Sequence, residues 1–178
     1  KDYYRLFRQV IEGRNEVKVF DRIKSMVADF PKIAMTYSIV ENDERTIENN
    51  EAMKEALDYY NDEYGTSFSL ETIGSYNRNL NERLARKKDK YKSRAEQVDI
   101  VIVVDRLLTG FDSPSMSLLL IDRAPMTPQG LIQAFSRTNR LYDERKAYGQ
   151  IITFRTPKAY EEAIENAFKL YSNGGENY

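Results

Sequence analysis

Two arginines, a glutamine and a glycine–aspartate pair are the residues of this sequence best suited to chemistry. Gln133, Arg137 and Arg140 lie in the stretch Leu131-Ile132-Gln133-Ala134-Phe135-Ser136-Arg137-Thr138-Asn139-Arg140. At about 100° per residue along an α-helix these three fall in one narrow arc. Leu131, Ala134, Phe135 and Thr138 fall on the opposite side and are expected to bury against a sheet. One rigid element would then aim two guanidiniums and an amide the same way. Planar guanidiniums match phosphate oxygens, and two together can neutralise charge that develops during phosphoryl transfer. Considered alone, such an arc is more often a solvated helix face, where arginines ordinarily sit.

A second candidate precedes it. The apolar run at residues 100–104 leads into Arg106-Leu107-Leu108-Thr109-Gly110-Phe111-Asp112-Ser113-Pro114. Open α/β sheets bind ligands beyond the carboxyl ends of their strands, and this loop leaves from such an end. Gly110 lets the backbone approach a ligand closely or take positive φ. Asp112 can accept hydrogen bonds from a ribose hydroxyl or from an arginine. It can also cap a turn before Pro114, and for an isolated G-x-D that plainer reading is the commoner one.

Composition narrows the chemistry further. The sequence of 178 residues has no cysteine and no histidine. Disulfides, thiol nucleophiles, imidazole bases and the usual zinc sites are therefore excluded, and no residue is assigned to a metal. There is no G-x-x-x-x-G-K-[ST] loop to cradle phosphates and no D-E-x-x box to hold magnesium. The net charge of −1, from 27 basic and 28 acidic side chains, gives no global argument for nucleic-acid binding. Hydrophobic residues make up 41%, enough for a core, and no apolar run approaches the roughly 20 residues of a membrane span. Residues 1–11 alternate charged and apolar groups at helical spacing, unlike a secretory leader. A cytoplasmic protein is expected, and a chain beginning at Lys1 is expected to be part of a larger one.

The elements that must position these groups follow from periodicity. Helices are expected at residues 3–11, 17–30 (with 17–20 alternatively extended), 44–64, 73–95, 129–141 and 157–171. In the second, Phe20, Ile23, Val27 and Phe30 share a face. In the third, Met53, Ala56, Leu57 and Tyr60 do. Pro31, Gly65 and Gly174-Gly175 are stop signals. Thr156 and Pro157 read as N-cap and first helical residue. Short strands are expected at 32–38, 98–105, 117–122 and 150–154. Their unbroken apolar character, best seen in the 98–105 run, indicates strands covered on both faces. Strands alternating with amphipathic helices predict a doubly wound, mainly parallel α/β sheet flanked by helices. A single domain over 1–178 is expected, with 157–178 its C-terminal helix and tail.

The two candidates occur in an order that carries a resemblance. Leu107-Leu108-Thr109-Gly110-Phe111-Asp112-Ser113-Pro114, then a strand, then Gln133-x-x-x-Arg137-x-x-Arg140, resembles motifs V and VI of superfamily 2 helicases and translocases. The full strings are similar to the R (motor and restriction) subunit of type I restriction enzymes. So are Asp58-Tyr59-Tyr60-Asn61, Thr66-Ser67-Phe68-Ser69 and Tyr148-Gly149-Gln150-Ile151-Ile152-Thr153-Phe154. The resemblance covers most of the chain after Lys32 and implies the second RecA-like domain of an ATP-driven translocase. By that resemblance Arg137 and Arg140 are arginine fingers reaching ATP, and Gln133 helps to organise the cleft. Gly110 and Asp112 lie near the nucleotide. Thr109 lies near DNA phosphates, and Ser38 stands where motif IV begins.

The same resemblance implies that ATP and Mg2+ are bound mainly by a first RecA-like domain absent from this sequence, leaving half an ATPase site here. The isolated chain is accordingly expected to be inactive. Further implied partners are a nuclease domain of the same subunit, double-stranded DNA, and modification and specificity subunits. Two readings compete: a half-domain of another superfamily 2 helicase acting on DNA or RNA, and a non-catalytic α/β module binding protein or nucleic acid. The basic stretch Arg83, Arg86, Lys87, Lys88, Lys90, Lys92 and Arg94 is read as a solvated face of the long helix in preference to a DNA contact.

Overall fold

The computed structural model describes residues 1–37, 46–104, 113–124, 126–140, 142, 144 and 146–172. Helix α1 (Asp2–Ile11) opens the chain, and Gly13, with φ of +70°, carries the backbone out of it. Tyr4 is its buried side chain, whereas Tyr3 and Leu6 stay exposed. The helix expected at 17–30 shrinks to α2 (Asp21–Met26), which buries nothing. Phe20 and Met26 are about as exposed as side chains become, at 77% and 76%. No residue of α2 reaches the buried core, so periodicity alone does not sustain the full helix.

β1 (Ile33–Tyr37) and β2 (Ile100–Val104) pair in parallel, with Ile33 opposite Ile100 and Tyr37 opposite Val104. Parallel pairing requires a crossover, which α3 (Thr46–Tyr64) and α4 (Ile73–Ala85) supply. The stripe Met53, Ala56, Leu57 and Tyr60 is buried as its spacing predicts, together with Ile33, Ala34, Met35, Tyr76 and Leu80. Polar groups within this core are matched. The Tyr76 hydroxyl donates to the Met35 carbonyl at 2.7 Å, and Thr36 Oγ1 donates to Asn77 Oδ1 at 2.8 Å. Asn61 clasps the loop after α3: its Nδ2 donates to the Phe68 carbonyl, and its Oδ1 accepts from Phe68 N, both at 2.8 Å.

The long helix expected at 73–95 ends at Ala85. Arg86 takes a left-handed conformation (φ 52°), and two 3-10 turns follow, Asp89–Lys92 and Arg94–Glu96. The physical reason is visible in the core. A run of cations offers no apolar stripe to extend the helix, while Tyr91 must reach the interior, where it is 1% exposed. The basic residues do not share a face. Arg83 is buried, Lys88 pairs with Glu82 at 2.7 Å, and Arg94 grips Asp99 at 2.5 and 2.7 Å and Asp29 at 2.8 Å.

The chain divides into two compact units, Lys1–Leu107 and Leu108–Tyr178. In the second, β3 (Leu118–Ile121) and β4 (Gln150–Thr153) pair in parallel, Leu118 opposite Gln150 and Ile121 opposite Thr153. α5 (Pro128–Thr138) forms the crossover, and α6 (Pro157–Ser172) follows β4. Ile121, Leu131 and Tyr160 make its centre, with Leu119, Phe135, Ile151 and Ile164 packed around them. The Tyr160 hydroxyl is satisfied by the carbonyls of Arg123 and Ala124 at 2.9 and 3.0 Å.

The parallel α/β character expected from the sequence is present, as two sheets of two strands among the described residues. Coverage of both strand faces holds for β1, whose consecutive Ile33, Ala34, Met35 and Thr36 are all buried, but not for β3 and β4 among the described residues. Leu118 (42%), Leu120 (50%) and Ile152 (45%) are exposed, because α5 and α6 pack on the face carrying Leu119, Ile121 and Ile151. Thr156 gives its carbonyl to Tyr160 N at 3.1 Å, as the residue before α6 should, yet with φ of 44° rather than the extended backbone of an N-cap.

Candidate functional site

The arginine-bearing helix starts earlier than apolar spacing alone suggests. Thr127 is its N-cap, its side chain accepting from Gly130 N at 3.2 Å, and Pro128 stands at the first turn. The signal is the same Thr-Pro pair that opens α6. Leu131, Ala134 and Thr138 are buried and Phe135 is half-buried, so the apolar side lies where the arc argument puts it. Gln133 is exposed on the other side. Arg137 is half-buried, and its Nε is out of reach of solvent, so its stem is packed rather than extended into water.

Arg140 departs from expectation. α5 stops at Thr138, and Asn139, at φ −86° and ψ 47°, turns the chain away. Arg140 is exposed, and its direction is therefore not inherited from helical periodicity. Its carbonyl is held by Lys146, which sequence reading passed over. Lys146 is 7% exposed, and its ammonium donates to the Arg140 carbonyl and, at 2.8 Å, to that of Pro114. Burial first, and then the Arg140 charge, hold its pKa below the ordinary lysine value. Gly149 was also missed. A Cβ there would stand 2.4 Å from both the Cβ and the carbonyl oxygen of Thr138, so only glycine lets residues 146–149 lie this close to the end of α5. Nothing in a lone lysine within a polar stretch marks it for burial; the glycine immediately before β4 was the one available hint.

Ser38, Thr109, Gly110 and Asp112 lie outside the described residues. The structure does place the end of that second string. Ser113 is buried, and Pro114 is held through its carbonyl by Lys146. The last residues of the two sequence candidates are thus joined by one ammonium. Two guanidiniums and an amide offer donors suited to phosphate oxygens, and the guanidiniums have no lone pairs to give a metal. Among the described residues no group of three or more acidic side chains could hold a metal ion.

Parallel strands joined through helices, with a cationic helix end held by a buried lysine, define an α/β protein that presents positive charge beside a strand–helix crossover. Comparison makes the class specific. Residues 1–156 match the family described as type I restriction enzyme subunit R domain 3, and the chain belongs to that family. It is 34% identical over 165 residues to the type I restriction enzyme SsaAORF53P endonuclease subunit of Staphylococcus saprophyticus, covering 88% of this chain and 17% of that one. The SauCOLORF180P endonuclease subunit of Staphylococcus aureus (strain COL) is 34% identical over 113 residues, 64% of this chain and 11% of its own. A putative endonuclease subunit of Methanocaldococcus jannaschii, MjaVIIP, is 43% identical over 58 residues, 33% of this chain and 5% of its own. The chain spans less than a fifth of the length of these relatives.

Proposed function

We propose that this chain is the second RecA-like motor domain of a type I restriction endonuclease R subunit, a superfamily 2 translocase that moves double-stranded DNA using ATP. Arg137 and Arg140 act as arginine fingers on the transferred phosphate, and Gln133 orders the cleft beside them. Such fingers are worth ~10³–10⁵ in rate in comparable phosphoryl-transfer systems. Gly110 and Asp112 approach the nucleotide, and Thr109 and Ser38 approach DNA phosphates. ATP, with its Mg2+, is held mainly by a first motor domain on the same subunit, which also bears the nuclease. Modification and specificity subunits choose the DNA, and the assembly works in the cytoplasm. No helix among the described residues is long and apolar enough to cross a membrane.

The observation that carries this reading is that Gln133 and Arg137 lie off the buried Leu131, Ala134 and Thr138 face of α5, Gln133 exposed and Arg137 half-buried, in a chain of the R-subunit family. In the basic stretch 83–94, Arg83 and Arg94 are committed to ion pairs with Glu96 and Asp99, while Lys87, Lys88, Lys90 and Lys92 stay exposed. The test is steady-state ATP hydrolysis by the full-length subunit with DNA present. Arg137→Ala and Arg140→Ala should each abolish stimulated hydrolysis, and the isolated chain should turn over no ATP. Unchanged hydrolysis in both variants, or steady turnover by the isolated chain, would refute the assignment.

A further inference from the structure

We infer that Lys146 is a positioning residue for the second arginine. Its buried ammonium bridges the Arg140 carbonyl to the Pro114 carbonyl and so sets where the Arg140 side chain departs. The inference rests on the role proposed above for Arg140.

Three features of the second unit carry it. α5 has ended two residues before Arg140, so helical geometry no longer holds that residue in place. Lys146 occupies a site where a cation is costly, buried and facing the like charge of Arg140. Two carbonyl oxygens offset that cost, one of them at 2.8 Å, and those carbonyls belong to the segments that end the two candidate strings. Independently, Gly149 presses the same stretch against Thr138, at a distance that leaves no room for a Cβ. Residues 146–149 therefore work as a buttress under the turn that carries Arg140. A finger acts only while its guanidinium keeps its productive position to within a fraction of an ångström, and misplacement by about 1 Å can cost ~10²-fold in rate.

The experiment measures DNA-stimulated ATP hydrolysis by the full-length subunit, resolving kcat from the KM for ATP. Lys146→Met keeps the length and apolar stem but removes the donors. It should lower kcat by at least ~10-fold, with KM changed by no more than ~2-fold. Lys146→Arg, which restores donors, should recover most of the loss. Placed on Arg140→Lys, which keeps a cation there and should retain some turnover, Lys146→Met should lower kcat much less than in the parent, because both changes act through one guanidinium. If Lys146→Met does not fold, Lys146→Leu, which also lacks donors, takes its place with the same readouts. Parental kcat in Lys146→Met while Arg140→Ala is inactive would overturn the inference and leave the role of Arg140 standing. An equal proportional loss in the parent and in Arg140→Lys would also overturn it, as a general structural effect. Parental turnover in Arg140→Ala would remove the underlying role, and the inference with it.

Discussion

The guanidinium carbon of Arg83 stands 3.7 Å from the centre of the Tyr64 ring, and the same group is held by Glu96 and by the Tyr60 hydroxyl at 2.9 Å. Tyr60 and Tyr91 complete an aromatic wall around it, at 5.5 and 5.1 Å. A residue that a list of basic side chains would assign to DNA is thus an internal tie between α4, α3 and the 3-10 turns that lead to β2.

Arg83→Met should therefore destabilise the first unit by about 3 kcal/mol. That is the low end for breaking a buried ion pair, because Glu96 keeps some solvent. DNA affinity of the full subunit should not change. Chemical denaturation and a DNA titration on the same variant check both halves; normal stability with weakened DNA binding would reverse the assignment.

On α5 the side chains should separate by depth. Leu131→Ala, which empties a fully buried position, should cost about 2–5 kcal/mol. Arg140→Ala should stay within about 0.5 kcal/mol of the parent, as exposed substitutions do. The sequence arc implied the same for Arg137, but its packed stem and buried Nε put Arg137→Ala nearer ~1 kcal/mol. Denaturant midpoints rank the three, and a midpoint for Arg137→Ala below that of Leu131→Ala would contradict the packing described.

Alkali should unfold the first unit through its tyrosines. Burial raises the pKa of Tyr4, Tyr64 and Tyr76, and pushes that of Tyr60 up to about 12. These phenols bind protons more tightly folded than unfolded. The stability they contribute is complete below the unfolded value of about 10 and is lost as pH rises toward the folded values. Phenolate absorbance of these buried tyrosines should rise in a cooperative step coincident with loss of helical circular dichroism. A single smooth titration with circular dichroism intact would show that the buried hydroxyls are solvent-accessible.

Most of what the sequence by itself determined concerns faces. The 3.6-residue spacing of Met53, Ala56, Leu57 and Tyr60, and of Leu131, Ala134 and Thr138, settles which sides of α3 and α5 are buried. It thereby places Gln133 and Arg137 on the remaining surface of α5. The parallel pairings were legible too, since apolar strands separated by helices leave few alternatives.

Tertiary structure decided the rest, wherever a side chain's partner is not encoded by periodicity. Leu118 and Leu120 read as buried, yet the described helices of their unit pack on the opposite face of β3. Phe20 and Ile23 suggested a full helix, but no residue of α2 reaches the buried core to sustain it. Arg83 read as a solvated cation, and Lys146 was passed over. Each is buried because the fold brings acceptors to it: for Arg83 a carboxylate, a hydroxyl and aromatic faces, for Lys146 two backbone carbonyls. Every residue carries a carbonyl oxygen, so no pattern of residue types can announce which two will meet around an ammonium. Only the folded chain, by ending α5 at Thr138 and laying Gly149 against it, made that choice.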